Sequence, residues 1–299
     1  MGRVQDYSYV QLKDRTPPRM SRSRSRPSMP GYQVVEFLGT GARSTIWRVR
    51  HRQTQEQFAL KQVLRQPGDD SRYIGQALNE YEVGRHLDHP TIRRYLKVRK
   101  VRRWFSVHEL HLVMELCEGT NCQSSRPTDL RRTVAIFHEV AAALAHMHAR
   151  GYVHADMKPN NIMIDGRGKV KIIDLGQSCP IGTVKERIQG TPDFIAPEQV
   201  HRRPLDGRTD VFNFGAALYW VLTGQAIPTV LPKQSTGIQL VSEMAVTPPV
   251  EYRPEVPGAL NKLVLDCIEM RPSHRPQAAR ELVGRLDMIA HTLDRNGGA

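Results

Sequence analysis

The chain has 299 residues, of which 39% are hydrophobic and 24% are charged, a composition that excludes a collagen-like repeat and a wholly disordered chain. No run of about 18 uncharged apolar residues occurs, so no transmembrane helix is expected. The four scattered cysteines (Cys117, Cys122, Cys179 and Cys267) and the absence of a secretory signal predict a reduced, cytoplasmic protein. A formal net charge of +13 favours acidic or anionic partners.

The N-terminal part of the sequence predicts a tail followed by a β-rich region. Residues 1–30 are rich in Ser, Arg and Pro and carry too few apolar residues to offset their chain entropy, so we expect a disordered basic tail. Apolar alternation then predicts strands. The expected elements are strands at Tyr32–Leu38, Thr45–Arg50 and Gln57–Val63, a helix over about 72–87, and strands around Tyr95–Phe105 and Glu109–Glu115.

The C-terminal part is predicted to be mainly helical. Apolar residues spaced by three or four predict a long helix from Asp129 to about Arg150, with Thr128 as its N-cap and Gly151 as its C-terminal stop. Short β segments are expected within Tyr152–Asp174. Further helices are expected at about 197–201, 210–222, 259–270 and 277–292, with Pro-rich loops over 225–258.

A glycine-rich turn and a buried lysine are the first candidate site features. Gly39-Thr-Gly-Ala-Arg-Ser44 lies between two predicted strands, where glycine lets the backbone approach phosphate oxygens, although an ordinary glycine hairpin is equally compatible. Lys61 lies in an apolar strand and needs an anion there. Glu80 on the next helix is a candidate partner; the alternative is that both are ordinary surface charges.

The strongest chemical signal is His154-Ala-Asp-Met-Lys-Pro-Asn-Asn161 followed by Ile172-Ile-Asp-Leu-Gly176. One carboxylate can accept or orient a hydroxyl proton, and one ammonium can neutralise phosphate charge. A second carboxylate and an amide oxygen are the hard ligands that Mg²⁺ prefers. Unrelated loop residues would reproduce this spacing only through several coincidences, so the set indicates phosphoryl transfer.

From Tyr32 to Leu293 the sequence resembles the protein kinase family, and in particular its eukaryotic-like serine/threonine members, including those of bacterial type. The motifs that carry the resemblance are Gly39-x-Gly41-x-x-Ser44-x-Ile46, Ala59-Leu-Lys61, Leu87-Asp-His-Pro90, Met114-Glu-Leu-Cys-Glu-Gly119, the two segments above, and Gly190-Thr-Pro-Asp-Phe-Ile-Ala-Pro-Glu198. The resemblance implies an α+β, bilobal kinase-like fold. Residues 31–116 would form a small lobe of a five-stranded antiparallel sheet plus one helix, residues 117–293 a larger, mainly helical lobe, and 294–299 a short tail.

The resemblance also implies roles for individual residues. The catalytic set comprises Asp156 as the base, Lys158 as the phosphate partner, Lys61 paired with Glu80, and Thr191 near Asp156 and Lys158. Asn161 and Asp174 would bind Mg²⁺, or Mn²⁺ in its place. ATP would contact Leu38, Gly39, Gly41, Ser44, Ile46, Ala59, Lys61, Met114, Glu115, Cys117, Asn121 and Met163, with the backbone of Glu115 and Cys117 at adenine and Asn121 at ribose. Asp210 would hold the following helix, and Arg275 would pair with Glu198.

Lys158 and the Gly190-Thr191-Pro segment resemble the serine/threonine branch of the family. The implied function is transfer of the γ-phosphoryl group of Mg-ATP to protein Ser or Thr hydroxyls, in signalling and with autophosphorylation. A catalytically weak ATP-binding or scaffold module is the alternative. Such a module would be expected to lack Lys61, Asp156, Asn161 or Asp174. A small-molecule kinase would be expected to lack the segment that ends in Ala-Pro-Glu198.

Four positions depart from the family pattern. Ser44 replaces the third loop glycine and Leu175 replaces a phenylalanine; both changes are mild. Ala155 replaces the arginine that precedes the base and receives an activation-loop phosphate, so we expect activity not to depend on phosphate at that place. Gly84 lies one helical turn after Glu80, where it is expected to loosen the helix.

Residues 93–103 form a basic segment with seven cations and no acid. Nucleic acid or an acidic protein could bind there. The alternative is a solvated strand whose charges protect a sheet edge from aggregation.

Overall fold

A computed structural model describes residues 26–41, 43–65, 71–228 and 246–296. The chain divides into two compact units. The first contains the described residues up to His86 together with Arg93–Cys117, and the second contains Leu87–Ile92 and the described residues from Glu118 onward. The predicted lobe division at 116/117 therefore lies one residue from the observed one, and a six-residue segment that we assigned to the first lobe belongs to the second unit.

The first unit is a five-stranded antiparallel sheet in the order β1-β2-β3-β5-β4, with one helix, as predicted. Its elements are β1 (Tyr32–Thr40), β2 (Ser44–His51), β3 (Gln57–Leu64), α1 (Arg72–Gly84), β4 (Tyr95–Arg103) and β5 (Ser106–Glu115). Alternation along β2 buries Trp47 and Val49 while the intervening residues stay partly exposed. In β2 the period of two that predicted the strand is thus the pattern by which it buries one face, whereas β3 and β5 contain consecutive buried residues.

The end of the predicted tail packs on this sheet. Residues 1–25 lie outside the described residues, but Met29 is only 4% exposed and joins a core cluster with Trp47, Val49 and Leu60. The Tyr32 amide donates to the Met29 carbonyl at 3.0 Å. Residues 26–30 were wrongly grouped with the tail, because a single methionine among Pro and Ser residues has no periodicity to reveal its burial.

The second unit contains six helices and five short strands in its described residues. The helices are α2 (Leu130–Ala149), α3 (Pro197–Val200), α4 (Gly207–Thr223), α5 (Pro249–Tyr252), α6 (Gly258–Cys267) and α7 (Ala279–Asn296); the strands are β6 (Thr120–Asn121), β7 (Tyr152–Val153), β8 (Ile162–Ile164), β9 (Val170–Ile172) and β10 (Cys179–Pro180). Strands β6, β8 and β9 form one sheet, and β7 pairs with β10. The core includes an edge-to-face contact between Phe137 of α2 and Phe214 of α4, with ring centroids 5.3 Å apart.

Two helix ends differ from the prediction. The N-cap of α2 is Asp129 rather than Thr128, because the Asp129 carboxylate accepts the Arg132 amide at 2.7 Å. Gly151 follows α2 with φ +79°, as its predicted role as a stop requires. Helix α7 runs to Asn296 and so includes the start of the predicted C-terminal tail.

Among the described residues, no helix has the length and apolar character needed to cross a membrane.

Candidate active site

The predicted site residues are distributed over both units. The first unit holds Leu38, Gly39, Gly41, Ser44, Ile46, Ala59, Lys61, Glu80, Met114, Glu115 and Cys117; the second holds Asn121, Asp156, Lys158, Asn161, Met163, Asp174 and Thr191. Each group is described within its own unit.

Lys61 and Glu80 form the ion pair that their positions suggested. Antiparallel pairing of β3 with β5 fixes Lys61 opposite Leu112, and its Nζ lies 2.6 Å from Oε2 of Glu80 on α1. The Glu80 side chain is 2% exposed and that of Lys61 is 19% exposed. A carboxylate this buried is tolerated only with partners, and the pair leaves an ammonium group at the sheet that can meet a phosphate.

Tyr95 provides the second partner of Glu80, and Gly84 makes room for it. The Tyr95 hydroxyl donates to Glu80 Oε1 at 3.0 Å. A Cβ at Gly84 would overlap the Tyr95 ring. The space at Gly84 is thus filled by the side chain whose hydroxyl donates to the Glu80 carboxylate, and the expectation that Gly84 loosens α1 stays a prediction.

The glycine-rich turn connects β1 to β2. Gly39 pairs with Ile46 and Thr40 with Thr45, and the Gly41 amide donates to the Ser44 carbonyl at 2.9 Å. A Cβ at Gly41 would lie 2.7 Å from Ser44 Oγ. The serine in the third glycine position is thus accommodated by the absence of a side chain at Gly41.

The segment after β5 contains the predicted adenine-binding residues. Met114 is buried and pairs with Ala59, and the Glu115 amide donates to the Arg94 carbonyl at 2.9 Å. The Glu115 carbonyl accepts from Cys117 Sγ at 3.8 Å, so both backbone groups of Glu115 have partners within the unit. Arg93, which we counted among the surface cations, instead donates from Nε to Cys117 Sγ at 3.3 Å. Sequence reasoning missed this contact, which holds the guanidinium against the predicted adenine-binding segment.

Asn121 and Met163 are neighbours across the β6–β8 pair. Asn121 Oδ1 accepts the Ser124 amide at 2.8 Å, so this oxygen stabilises the turn that follows β6. A ribose contact by Asn121 would therefore use its amide nitrogen or the second lone pair of Oδ1.

A buried aspartate holds the loop that carries the candidate catalytic base. Asp210 on α4 is 0% exposed and accepts the amides of His154 and Ala155, each at 2.8 Å. His148 Nε2 lies 2.8 Å from the same carboxylate. Burial opposes ionisation of Asp210, but the hydrogen bond and charge of His148 outweigh it and lower the pKa of the carboxyl group. The carboxylate form is thus favoured where the loop needs an acceptor.

Asp156, Lys158 and Thr191 form a closed hydrogen-bonded triangle. Lys158 Nζ donates to Asp156 Oδ2 at 2.8 Å and to Thr191 Oγ1 at 2.7 Å, and the Thr191 hydroxyl donates to Asp156 Oδ1 at 2.9 Å. All three side chains remain partly accessible. The arrangement presents a carboxylate, an ammonium and a bound hydroxyl at one place, which suits the transfer of an anionic group to an alcohol.

Asn161 and Asp174 provide a donor set that fits Mg²⁺. Asn161 Nδ2 donates to the Asp156 carbonyl at 2.8 Å. This contact directs the side-chain oxygen of Asn161 to the opposite side, where it can act as a ligand. The Asn161 carbonyl accepts the Ile173 amide at 2.9 Å and so places Asp174 next to it. One amide oxygen and one carboxylate match the hard-oxygen preference of the ion. The described residues contain no group of three or more His, Cys, Asp or Glu side chains suited to a metal, so phosphate oxygens and water would complete any coordination.

Gln199 joins the catalytic loop to the segment before Ala-Pro-Glu198, a role that sequence reasoning missed. Its Nε2 donates to the Ala155 carbonyl at 2.8 Å and to the Gln189 carbonyl at 3.1 Å. Its Oε1 accepts the Ala196 amide and Asn213 Nδ2, each at 3.0 Å. Ala155 is the position at which the family carries an arginine. The loop and segment are thus connected there by an uncharged amide.

Glu198 and Arg275 form the predicted pair in the second unit. Arg275 contacts Glu198 through two nitrogen–oxygen pairs of 2.8 and 3.0 Å, and the arginine side chain is 0% exposed. Its guanidinium also donates to three carbonyl oxygens and lies 4.8 Å from the centre of the Phe212 ring. This bidentate geometry satisfies both buried charges.

Comparison with known proteins agrees with these features. Residues 32–284 match the protein kinase domain family. The chain belongs to that family. It is 26% identical over 86% of its length to a probable serine/threonine-protein kinase of Clostridium acetobutylicum, covering 40% of that protein. It is 29% identical over 84% of its length to mouse sperm motility kinase 2B, covering 51%. It is 25% identical over 84% of its length to the serine/threonine-protein kinase PrkC of Bacillus subtilis, covering 39%. The chain thus spans about two-fifths to half of the length of these relatives.

Proposed function

We propose that the chain is a protein serine/threonine kinase that transfers the γ-phosphoryl group of Mg-ATP to a Ser or Thr hydroxyl. The triangle of Asp156, Lys158 and Thr191 supports the proposal, because a carboxylate that can accept a proton and an ammonium that can neutralise phosphate charge both contact one hydroxyl group, that of Thr191. The names of the relatives, which describe serine/threonine-protein kinases, support the same substrate class.

In this reaction the oxygen of the substrate hydroxyl bonds to the γ-phosphorus, and the bond from that phosphorus to the β–γ bridging oxygen breaks. The hydroxyl proton passes to the Asp156 carboxylate, while Lys158 neutralises charge on the transferred group. Lys61, held by Glu80, binds oxygens of the remaining phosphates. Asn161 and Asp174 would hold Mg²⁺, which supplies charge neutralisation to the phosphate oxygens when bound.

We further propose that activity is independent of a phosphate near Ala155. A phosphate at that place would find no arginine at position 155, whereas Gln199 already bonds the Ala155 carbonyl. Autophosphorylation and a role in signalling follow from the proposed activity as expectations.

The test is incubation of the purified chain with Mg-ATP, followed by mass spectrometry of the chain and of added protein acceptors. The wild type is expected to add phosphate to Ser or Thr residues, whereas Asp156→Asn is expected to add none beyond background. Because the Asp156 carboxylate accepts two side-chain donors, circular dichroism should verify that the variant is folded. A folded Asp156→Asn protein with wild-type phosphate incorporation would refute the assigned base.

A further inference from the structure

Two aromatic side chains project from the turn between β4 and β5. Arg103 pairs with Ser106, so Trp104 and Phe105 are the two residues of the turn. They are 94% and 101% exposed, which makes them the most exposed large hydrophobic side chains among the described residues; Met288 follows at 64%. Leaving two large rings in water forgoes the burial that normally stabilises such side chains.

The backbone at this turn is also unfavourable for the residues that occupy it. Trp104 has φ +54°, in the left-handed region where two-residue hairpin turns favour Gly, Asn or Asp. A bulky aromatic residue is a costly choice there. Both the exposure and the conformation are therefore unexplained by folding of the first unit, which points to a function of the turn.

Cations flank the two rings without acidic partners. Lys97, Lys100, Arg102 and Arg103 are exposed on β4, at the edge of the sheet. None of these four forms an ion pair with a described residue, and residues 93–108 contain no acid. Two other cations of the segment are engaged: Arg94 lies 3.9 Å from Glu115, and Arg99 donates to the Ser28 carbonyl. The free positive charge is thus concentrated on the strand that leads to the aromatic turn.

We propose that this turn, Trp104–Phe105 with the four flanking cations, binds the surface of a bilayer that contains anionic phospholipids. Trp and Phe enter the headgroup region from a projecting turn, where an amphipathic indole is stable, while Lys and Arg side chains contact the lipid phosphates. Single-stranded nucleic acid fits less well. Such partners are bound along a positive groove with aromatic faces spaced to stack on successive bases, whereas both rings here lie at one turn.

The experiment uses the full chain and sedimentation with vesicles of phosphatidylcholine alone or mixed with phosphatidylglycerol. Wild-type protein is expected to sediment with the anionic vesicles and to be released as salt rises. The double variant Trp104→Ser/Phe105→Ser should bind at least tenfold more weakly. Its matched control is Tyr252→Ser/Met288→Ser, which removes two other exposed hydrophobic side chains and should bind as the wild type does.

A second pair of variants tests the charges. Arg102→Gln/Arg103→Gln should weaken binding to anionic vesicles, whereas Arg280→Gln/Arg295→Gln, with the same change in net charge at exposed positions of α7, should not. Equal weakening by both pairs would mean that net charge alone, including the basic N-terminal residues, attracts the membrane, and would overturn the proposal.

Tryptophan fluorescence reports insertion directly. Anionic vesicles should shift the emission of the wild type to shorter wavelength, and Trp104→Phe should abolish the shift, since Trp47 is buried and Trp220 lies on α4 of the second unit, far from the turn in sequence. An unchanged spectrum, or a shift that persists in Trp104→Phe, contradicts entry of the turn. Fluorescence anisotropy with a single-stranded oligonucleotide tests whether nucleic acid is the partner instead. If the Ser double variant loses oligonucleotide binding but keeps vesicle binding, the partner is nucleic acid and the proposal is wrong.

Discussion

Gln199 offers the sharpest test of how the catalytic loop is held without a phosphate. In Gln199→Glu, the two acceptor contacts to Ala196 and Asn213 can remain, but the group that donates to the Ala155 and Gln189 carbonyls becomes a carboxylate oxygen. The buried Ala155 carbonyl and the partly buried Gln189 carbonyl then lose their donor and face an acceptor.

The magnitude follows from these contacts. Leaving a buried polar group unsatisfied costs about 1–3 kcal/mol. The Ala155 carbonyl therefore accounts for a loss of about 1–3 kcal/mol, and the partly buried Gln189 carbonyl adds less. If about 2 kcal/mol of this loss is felt at the Ala155–Asp156 segment during turnover, kcat falls roughly thirtyfold. The KM for ATP should change much less, because Lys61 and its partners belong to the other unit.

The assay compares phosphatase-treated wild type, Gln199→Glu and the charge-matched control Gln225→Glu, an exposed substitution, for steady-state phosphorylation and for urea unfolding. Wild type and control should be active without phosphate, while Gln199→Glu should lose both rate and stability. Wild-type activity in Gln199→Glu, or loss of wild-type activity on phosphatase treatment, would refute the reasoning.

Three further predictions concern the ion pair, the glycine and pH. Lys61→Met should abolish phosphoryl transfer and lower thermal stability, while adding Glu80→Gln should recover stability but not activity; recovery of activity would contradict the role of Lys61. Gly84→Ala should destabilise the chain despite the better helix propensity of Ala, because Cβ meets Tyr95, and a raised melting temperature would show that the overlap is harmless. Burial lowers the pKa of His154, so the histidine is protonated in the unfolded state at a higher pH, near 6.5, than in the folded state. The free energy of unfolding should therefore fall as pH drops below about 6.5, and His154→Asn should flatten that dependence; an equal slope in both proteins would exclude the histidine as its cause.

Most of the secondary structure could be predicted from local sequence patterns. Alternation along β2, short apolar runs such as those of β3 and β5, and the three-to-four spacing of α2 were enough to locate these elements. The pair of Lys61 with Glu80 could also be predicted, because a lysine in an apolar strand requires an anion and the resemblance to the kinase family implied Glu80 as its partner. Short-range chemistry and burial, together with that resemblance, therefore suffice for these features.

Contacts between residues distant in sequence could not be predicted from local patterns. Tyr95 read as an ordinary strand residue and Gly84 as a defect, and only the fold brings the ring against the glycine. Gln199 lies 44 residues from Ala155, whose carbonyl it binds, and its sequence neighbours give no sign of that contact. The burial of Met29 could not be predicted for the same reason, since it depends on a sheet formed by later residues.

The most direct test of the central claim is label transfer from γ-labelled ATP, with magnesium, to peptides that are identical except for Ser, Thr or Tyr as the acceptor. The proposed role of the Asp156–Lys158–Thr191 triangle predicts label on the Ser and Thr peptides, little on the Tyr peptide, and none with folded Asp156→Asn. Label on the Tyr peptide alone, or no transfer to any acceptor by folded wild-type protein, would contradict it.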